Sequence, residues 1–142
     1  MSADDAASRL FVYGTLMMPA VLDAVCGRRF ATRPATLADF GRYRLRRRVY
    51  PAIVAEAGAI TAGLLCEGID AALWPHLDDW ESELYCRQPV VVRDSAGAVL
   101  AAHTYVLAAP YHGELEMTAW SPREFERLHL AAYLARWTAR QP

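Results

Sequence analysis

The sequence predicts an α+β domain whose sheet can close into a small barrel. Three observations carry that expectation: short apolar or β-branched runs bounded by glycine and proline, a turn signal (DSAG, 94–97) between two such runs, and amphipathic helical segments interspersed among them. Runs joined by a tight turn favour antiparallel pairing, and 142 residues are enough for one domain with a continuous core.

The first nine residues, MSADDAASR, are small and acidic and read as a disordered tail, leaving 10–142 as a single domain. Residues 10–13 (LFVY) form an apolar run stopped by Gly14, as in a buried central strand. Residues 19–26 (PAVLDAVC) begin on a proline, carry Val21, Leu22 and Val25, and precede Gly27, which predicts a two-turn helix. From 30 to 54 the pattern is interrupted by Pro34, Gly41 and Pro51, and predicts short strands and bends. Residues 60–69 (ITAGLLCEGI) read as a strand with a bulge or sharp bend at Gly63.

Leu73, Leu77, Trp80 and Leu84 gather on one face of a helix ending near Leu84, with Pro75 in its first turn. Residues 88–93 and 99–107 flank DSAG as a hairpin. At the C-terminus SPRE supplies a capping serine (Ser121), a proline at the first helical position and Glu124 three residues past the cap. Phe125, Leu128, Leu130, Ala131, Leu134 and Trp137 then read as one long helix.

Composition removes several function classes. No apolar run approaches the roughly 18 residues needed to cross a membrane, and the acidic start lacks the pattern of a secretory signal, so a soluble, cytoplasmic protein is expected. The net charge of −1 supplies no attraction to nucleic acid or anionic lipid. All fifteen basic residues are arginine, which excludes lysine Schiff-base and amine-base chemistry. Cys26, Cys66 and Cys86 are too widely spaced for a zinc site or a disulfide framework, and read as buried or inert thiols.

Two stretches could carry chemistry. Where the first strand ends in YGTL, the following turn leaves backbone N–H groups unpaired, a concavity suited to a carboxylate or an oxyanion. In LDDWESELYCR (77–87), four acids fall within six positions. With Leu77, Trp80 and Leu84 turned to the core, Glu81 lies beside the apolar stripe, while Asp79 and Glu83 point outward. A helical acid is ordinarily solvated, but a half-buried one has a raised pKa and works as a base near neutral pH. Tyr50, Tyr85 and Tyr105 are candidates for lining a pocket, against the commoner role of strand-end aromatics as core. Alternation sends Tyr85 and Arg87 to one face of the sheet.

The order FVYGTL, YPAIV (50–54), AGLLCEGI, LDDWESELYCR with its following valine strand, HTYVL and WSPREFERLHLAAYL resembles the gamma-glutamylcyclotransferase-like family, which includes gamma-glutamylamine cyclotransferases, BtrG-type cyclotransferases and plant avirulence-induced proteins. The resemblance runs from about Leu10 to Leu134. It implies a small mixed β-barrel with flanking helices and a substrate cavity at the barrel mouth. It further implies that the backbone of Tyr13, Gly14, Thr15 and Leu16 holds a γ-glutamyl group and that Glu81 is the general acid/base. The implied reaction needs no cofactor or metal: the substrate's α-amine closes on its own γ-carbonyl, giving 5-oxoproline and a free amine. Met17, Met18 and Ser82 depart from the family's pattern, Ser82 standing where glycine is frequent.

Other readings are weaker. RYRLRRRVY (42–50) puts five arginines beside two tyrosines, as single-strand nucleic-acid binders do, but alternating arginines also suit the wet face of a strand. Glu126 and His129 have the spacing of a metal pair without a second copy, and His76, His103 and His112 have no ligand spacing. No serine or cysteine sits in a glycine-flanked elbow. The expected partner is therefore a small γ-glutamyl substrate, with no nucleic acid or membrane; the sequence sets neither the leaving amine nor the oligomeric state. The alternative is a non-catalytic module binding a carboxylate-bearing metabolite in the same cavity. The two part on the setting of Glu81: facing the YGTL turn for an enzyme, solvated or paired with Arg87 for a binding module.

Overall fold

The computed structural model describes residues 6–138. Six strands, β1 (Arg9–Val12), β2 (Thr32–Leu45), β3 (Pro51–Glu67), β4 (Tyr85–Asp94), β5 (Val99–Leu107) and β6 (Leu115–Ala119), form one sheet in the order β3-β1-β5-β4-β2-β6. Because β2 also pairs with β3, the first five close into a barrel, and β6 extends β2 beyond the ring. All pairings are antiparallel except β1 with β5. Among the described residues four helices of seven residues or more flank it: α1 (Pro19–Cys26), α2 (Leu73–Glu81), α3 (Pro122–Leu128) and α4 (Leu130–Thr138).

β1 is buried along its whole length because both of its faces are covered. Phe11 and Tyr13 join Ile53, Leu65, Val92 and Ala102 in one cluster. Leu10 and Val12, the alternate residues, pack with Val21, Leu77 and Phe125 of the helices.

The broken pattern of 30–54 hides two long strands. Pro34 and Gly41 both lie inside the fourteen-residue β2, where a proline forfeits one N–H and the remaining pairings carry the strand. The expected irregularity at Gly63 is a close approach: a Cβ there would stand 2.3 Å from the Val12 carbonyl oxygen. The register shift occurs instead between Ala38 and Phe40, where Asp39 (φ 65°) accepts the Gly58 N–H at 2.9 Å.

α1 forms over the expected residues and stops at Gly27 with φ 72°. The 88–93/99–107 hairpin forms with longer arms, its turn tied by Asp94 Oδ1 accepting the Ala96 and Ala98 N–H groups. α2 ends at Glu81, three residues early, because Ser82 leaves the helix at φ 67° and ψ −170°. Ser121 caps α3 through the Glu124 N–H, but the Glu124 carboxylate is drawn to Arg44, so the reciprocal half of the capping box is not made. The single C-terminal helix is in fact two, interrupted at His129 (φ −127°). Trp137, expected on its stripe, has its side chain outside the described residues.

The tail boundary also needs correction. Arg9 belongs to β1, and the carbonyls of Ala7 and Ser8 accept hydrogen bonds from Trp74 Nε1 and the Ile69 N–H, so the fold engages the chain before residue 10. Residues 1–5 lie outside the described part. Among the described residues no helix is long and apolar enough to cross a membrane.

Candidate active site

β1 delivers the chain to a 3₁₀ turn over Thr15–Met17, closed by Met17 N–H to Gly14 O (2.9 Å) and Met18 N–H to Thr15 O (3.0 Å). As in the first turn of any helix, the leading N–H groups have no partner within the turn. Gly14 is closely packed, since a Cβ there would stand 3.0 Å from the Pro51 ring, tighter than an ordinary contact. Behind the turn, Arg42 Nη1 donates to Tyr13 O (2.8 Å) and to Ala62 O (2.9 Å), with its guanidinium 5.5 Å from the Trp120 ring. Burial lowers the Arg42 pKa, and no carboxylate pairs with it among the described residues. The wet-face expectation fails for this arginine, whose role is to clamp two strands and the start of the turn.

The turn opens on a cavity of about 380 Å³ that brings together the expected acid/base and substrate-binding residues: Tyr13, Gly14, Thr15, Leu16, Tyr50, Glu81, Tyr85 and Tyr105. Several of their side chains are already committed. The Tyr13 hydroxyl donates to Tyr105 O (2.6 Å), Tyr85 to Pro51 O (2.6 Å) and Tyr105 to Asp78 Oδ1 (2.7 Å), so these rings supply walls and not free hydroxyls. Trp80, Leu84, Tyr133 and Arg136 also line the cavity, beyond the residues expected from sequence. In sequence, Trp80 and Leu84 read as part of the core stripe that leads to Glu81. Tyr133 and Arg136 sit on α4, whose docking over the cavity has no local signature.

Glu81 is the one carboxylate and Arg136 the one cation lining the cavity among the described residues. Burial raises the Glu81 pKa to about 8, and the nearby Asp78 charge adds to the rise. The side chain keeps partial exposure because the cavity opens to solvent, but its carboxyl lies deep and has no hydrogen-bond or ion-pair partner among the described residues. Asp78, three residues earlier, takes the partners that Glu81 lacks: Arg87 Nε (2.9 Å), Arg87 Nη2 (3.3 Å) and the Tyr105 hydroxyl. Partial burial works against its charge, but these bonds outweigh it and hold its pKa below the usual carboxylate value. Arg87 is thereby kept away from Glu81, and its guanidinium rests 4.5 Å from the Trp74 ring.

Burial pushes the Cys66 thiol up to about 12 and the Cys26 thiol to about 11, while Cys86 is exposed. No group of three or more His, Cys, Asp or Glu side chains converges as a metal site among the described residues.

A five-strand mixed barrel with flanking helices and a mouth cavity between YGTL and a buried glutamate defines a cyclotransferase-like fold. Residues 10–122 match the family described as gamma-glutamyl cyclotransferase, AIG2-like, and the chain belongs to that family. It is 35% identical over 127 residues to AIG2-like protein D of Arabidopsis thaliana, spanning 88% of this chain and 83% of the relative. A solution structure from Arabidopsis thaliana aligns at TM-score 0.72 and 26% identity over 93% of this chain and 80% of the other. A structure titled gamma-glutamyl cyclotransferase aligns at TM-score 0.67 and 16% identity, covering 95% and 88%, a likeness of fold alone.

Proposed function

We propose that this protein is a cofactor-independent γ-glutamyl cyclotransferase that releases an amine or amino acid from a small γ-glutamyl amide and forms 5-oxoproline, with Glu81 as the general acid/base. One observation carries this reading: a deep carboxyl, without a partner among the described residues and with its pKa raised to about 8, shares a cavity with the leading amides of the YGTL turn. Membership in the AIG2-like family supports it.

The chemistry follows from these groups. The substrate's α-ammonium gives a proton to the Glu81 carboxylate, a transfer between groups of similar pKa, since an α-amino group titrates near 7.7–8.0. The freed nitrogen attacks the γ-carbonyl carbon, and negative charge develops on its oxygen. Main-chain N–H donors from Gly14, Thr15 and Leu16 are suited to that charge, at about 3 kcal/mol for a well-placed donor. As the bond between the γ-carbon and the leaving nitrogen breaks, the Glu81 carboxylic acid gives its proton to that nitrogen, and the extra proton left on the ring nitrogen passes through the Glu81 carboxylate to the released amine, giving the lactam N–H and an ammonium ion. Protons balance, and the enzyme is unchanged. Because the attack is intramolecular, holding the substrate folded supplies much of the acceleration.

The test is to incubate purified protein with a panel of γ-glutamyl amines and γ-glutamyl amino acids and to measure 5-oxoproline. Turnover that collapses in Glu81→Gln is expected. Tight binding without product in the wild type would make this a binding module for a carboxylate-bearing metabolite.

A further inference from the structure

The cavity is walled by two parts of the chain. Residues inside the family match supply Glu81, the YGTL turn and all the aromatic lining except Tyr133. α4, which lies wholly beyond that match, supplies Tyr133 and Arg136. Tyr133 stands beside the Thr15 side chain of the turn, which works against the rise that burial gives its pKa. Arg136 follows Tyr133 by three residues, so both share one face of α4, and the Arg136 charge is felt at the Tyr133 hydroxyl.

Arg136 differs from the other arginines near this end of the barrel. Arg44 meets Glu124, Arg48 meets Glu114 and Arg87 meets Asp78, whereas Arg136 has no ion-pair partner among the described residues. Its guanidinium is exposed at the rim, available to an incoming anion. An unpaired guanidinium recognises a carboxylate through two parallel hydrogen bonds and repels a cation.

In the reaction proposed above, the turn amides and Glu81 are occupied by the glutamyl half of the substrate, which leaves the α4 rim to the departing half. We infer that Arg136 receives a carboxylate on the departing half, so that the substrates are γ-glutamyl amino acids in preference to γ-glutamyl derivatives of neutral or cationic amines. This inference rests on the cyclotransferase reading for which half lies where.

The test compares γ-glutamyl-alanine with γ-glutamyl-alaninamide, which match in size and differ by one charge. Wild-type kcat/KM should favour the acid about tenfold, as for one charge-assisted hydrogen-bonded contact. Arg136→Ala should bring that ratio toward one, Arg136→Lys should keep part of it, and Arg136→Glu should invert it. A wild-type ratio near one, or a ratio that Arg136→Ala leaves intact, overturns the inference. If neither compound is turned over, calorimetric Kd values decide: a preference for the acid that Arg136→Ala abolishes upholds the Arg136 assignment while sinking ring closure. Equal affinity for the two, or binding of neither, sinks the assignment itself.

Discussion

Asp78 and Glu81 stand one turn apart on the same helix, yet they inhabit opposite environments. Asp78 lines a second, more open concavity with Arg87 and His103, and its carboxylate is held ionised by two guanidinium bonds and the Tyr105 hydroxyl. Glu81 lines the deep cavity, has no such partner among the described residues, and is pushed to a pKa of about 8. Ser82, Tyr85 and Tyr105 border both spaces. Residue type does not distinguish a carboxyl of raised pKa from a fixed charge here; the supply of hydrogen-bond donors does. The fixed charge on Asp78 also helps keep its neighbour poised near neutrality.

The largest expected effect breaks the comparison on the Glu81 side. Glu81→Gln should lower kcat/KM roughly a thousandfold, within the usual range for loss of a general acid/base. Loss of less than tenfold would mean that another group moves the proton. The same variant carries a stability signature. Because the folded protein raises the Glu81 pKa above its unfolded value, the protonated form is the one that favours folding. That contribution is complete below about pH 4.5 and is withdrawn as pH rises through about 8. Thermal melts at pH 5 and pH 9 should therefore diverge, Glu81→Gln being more stable than wild type at pH 9 by on the order of 1–3 kcal/mol, with the gap closing at pH 5.

Arg42 sets a second contrast, a clamped arginine behind the turn against the paired Arg87 on the outer side. Arg42→Ala strips the donor from two backbone carbonyls and should cost about 2–4 kcal/mol, lowering Tm by roughly 5–10 °C. Arg87→Ala should cost under about 1 kcal/mol, because its pair is exposed. Similar Tm losses in the two variants would erase the distinction.

Asp78→Asn sharpens the comparison by removing the fixed charge. The Glu81 pKa should fall, moving the rising limb of the kcat/KM against pH profile to lower pH by roughly half a unit to one unit. A limb that stays in place would show that burial alone sets the value.

The smallest effect concerns the residue between the two spaces. Ser82 occupies φ 67° and ψ −170°, a region that only glycine visits freely, immediately after Glu81. Ser82→Gly should raise stability by about 1 kcal/mol, or a few degrees in Tm. A loss of stability would assign the Ser82 hydroxyl, 3.4 Å from the Leu84 N–H, a larger share in holding the helix end.

What the sequence determined by itself was local. The extent of α1, the placement of Glu81 beside an apolar stripe, the Ser121 cap and the DSAG hairpin each follow from free energies settled within one or two turns of chain: side-chain periodicity, capping donors and glycine geometry. The YGTL turn and Glu81 were legible as candidates for that reason. What the tertiary structure decided was everything that needs partners distant in the chain. Pro34 and Gly41 could not stop β2, because pairing along both of its edges outweighs two local penalties. Arg42 turned inward because carbonyls from two other segments met it, and α4 brought Tyr133 and Arg136 to the cavity through packing that no pattern near residue 133 encodes. The pKa of Glu81 belongs to the same class: burial is a property of the assembled surroundings, and no stretch of sequence contains it.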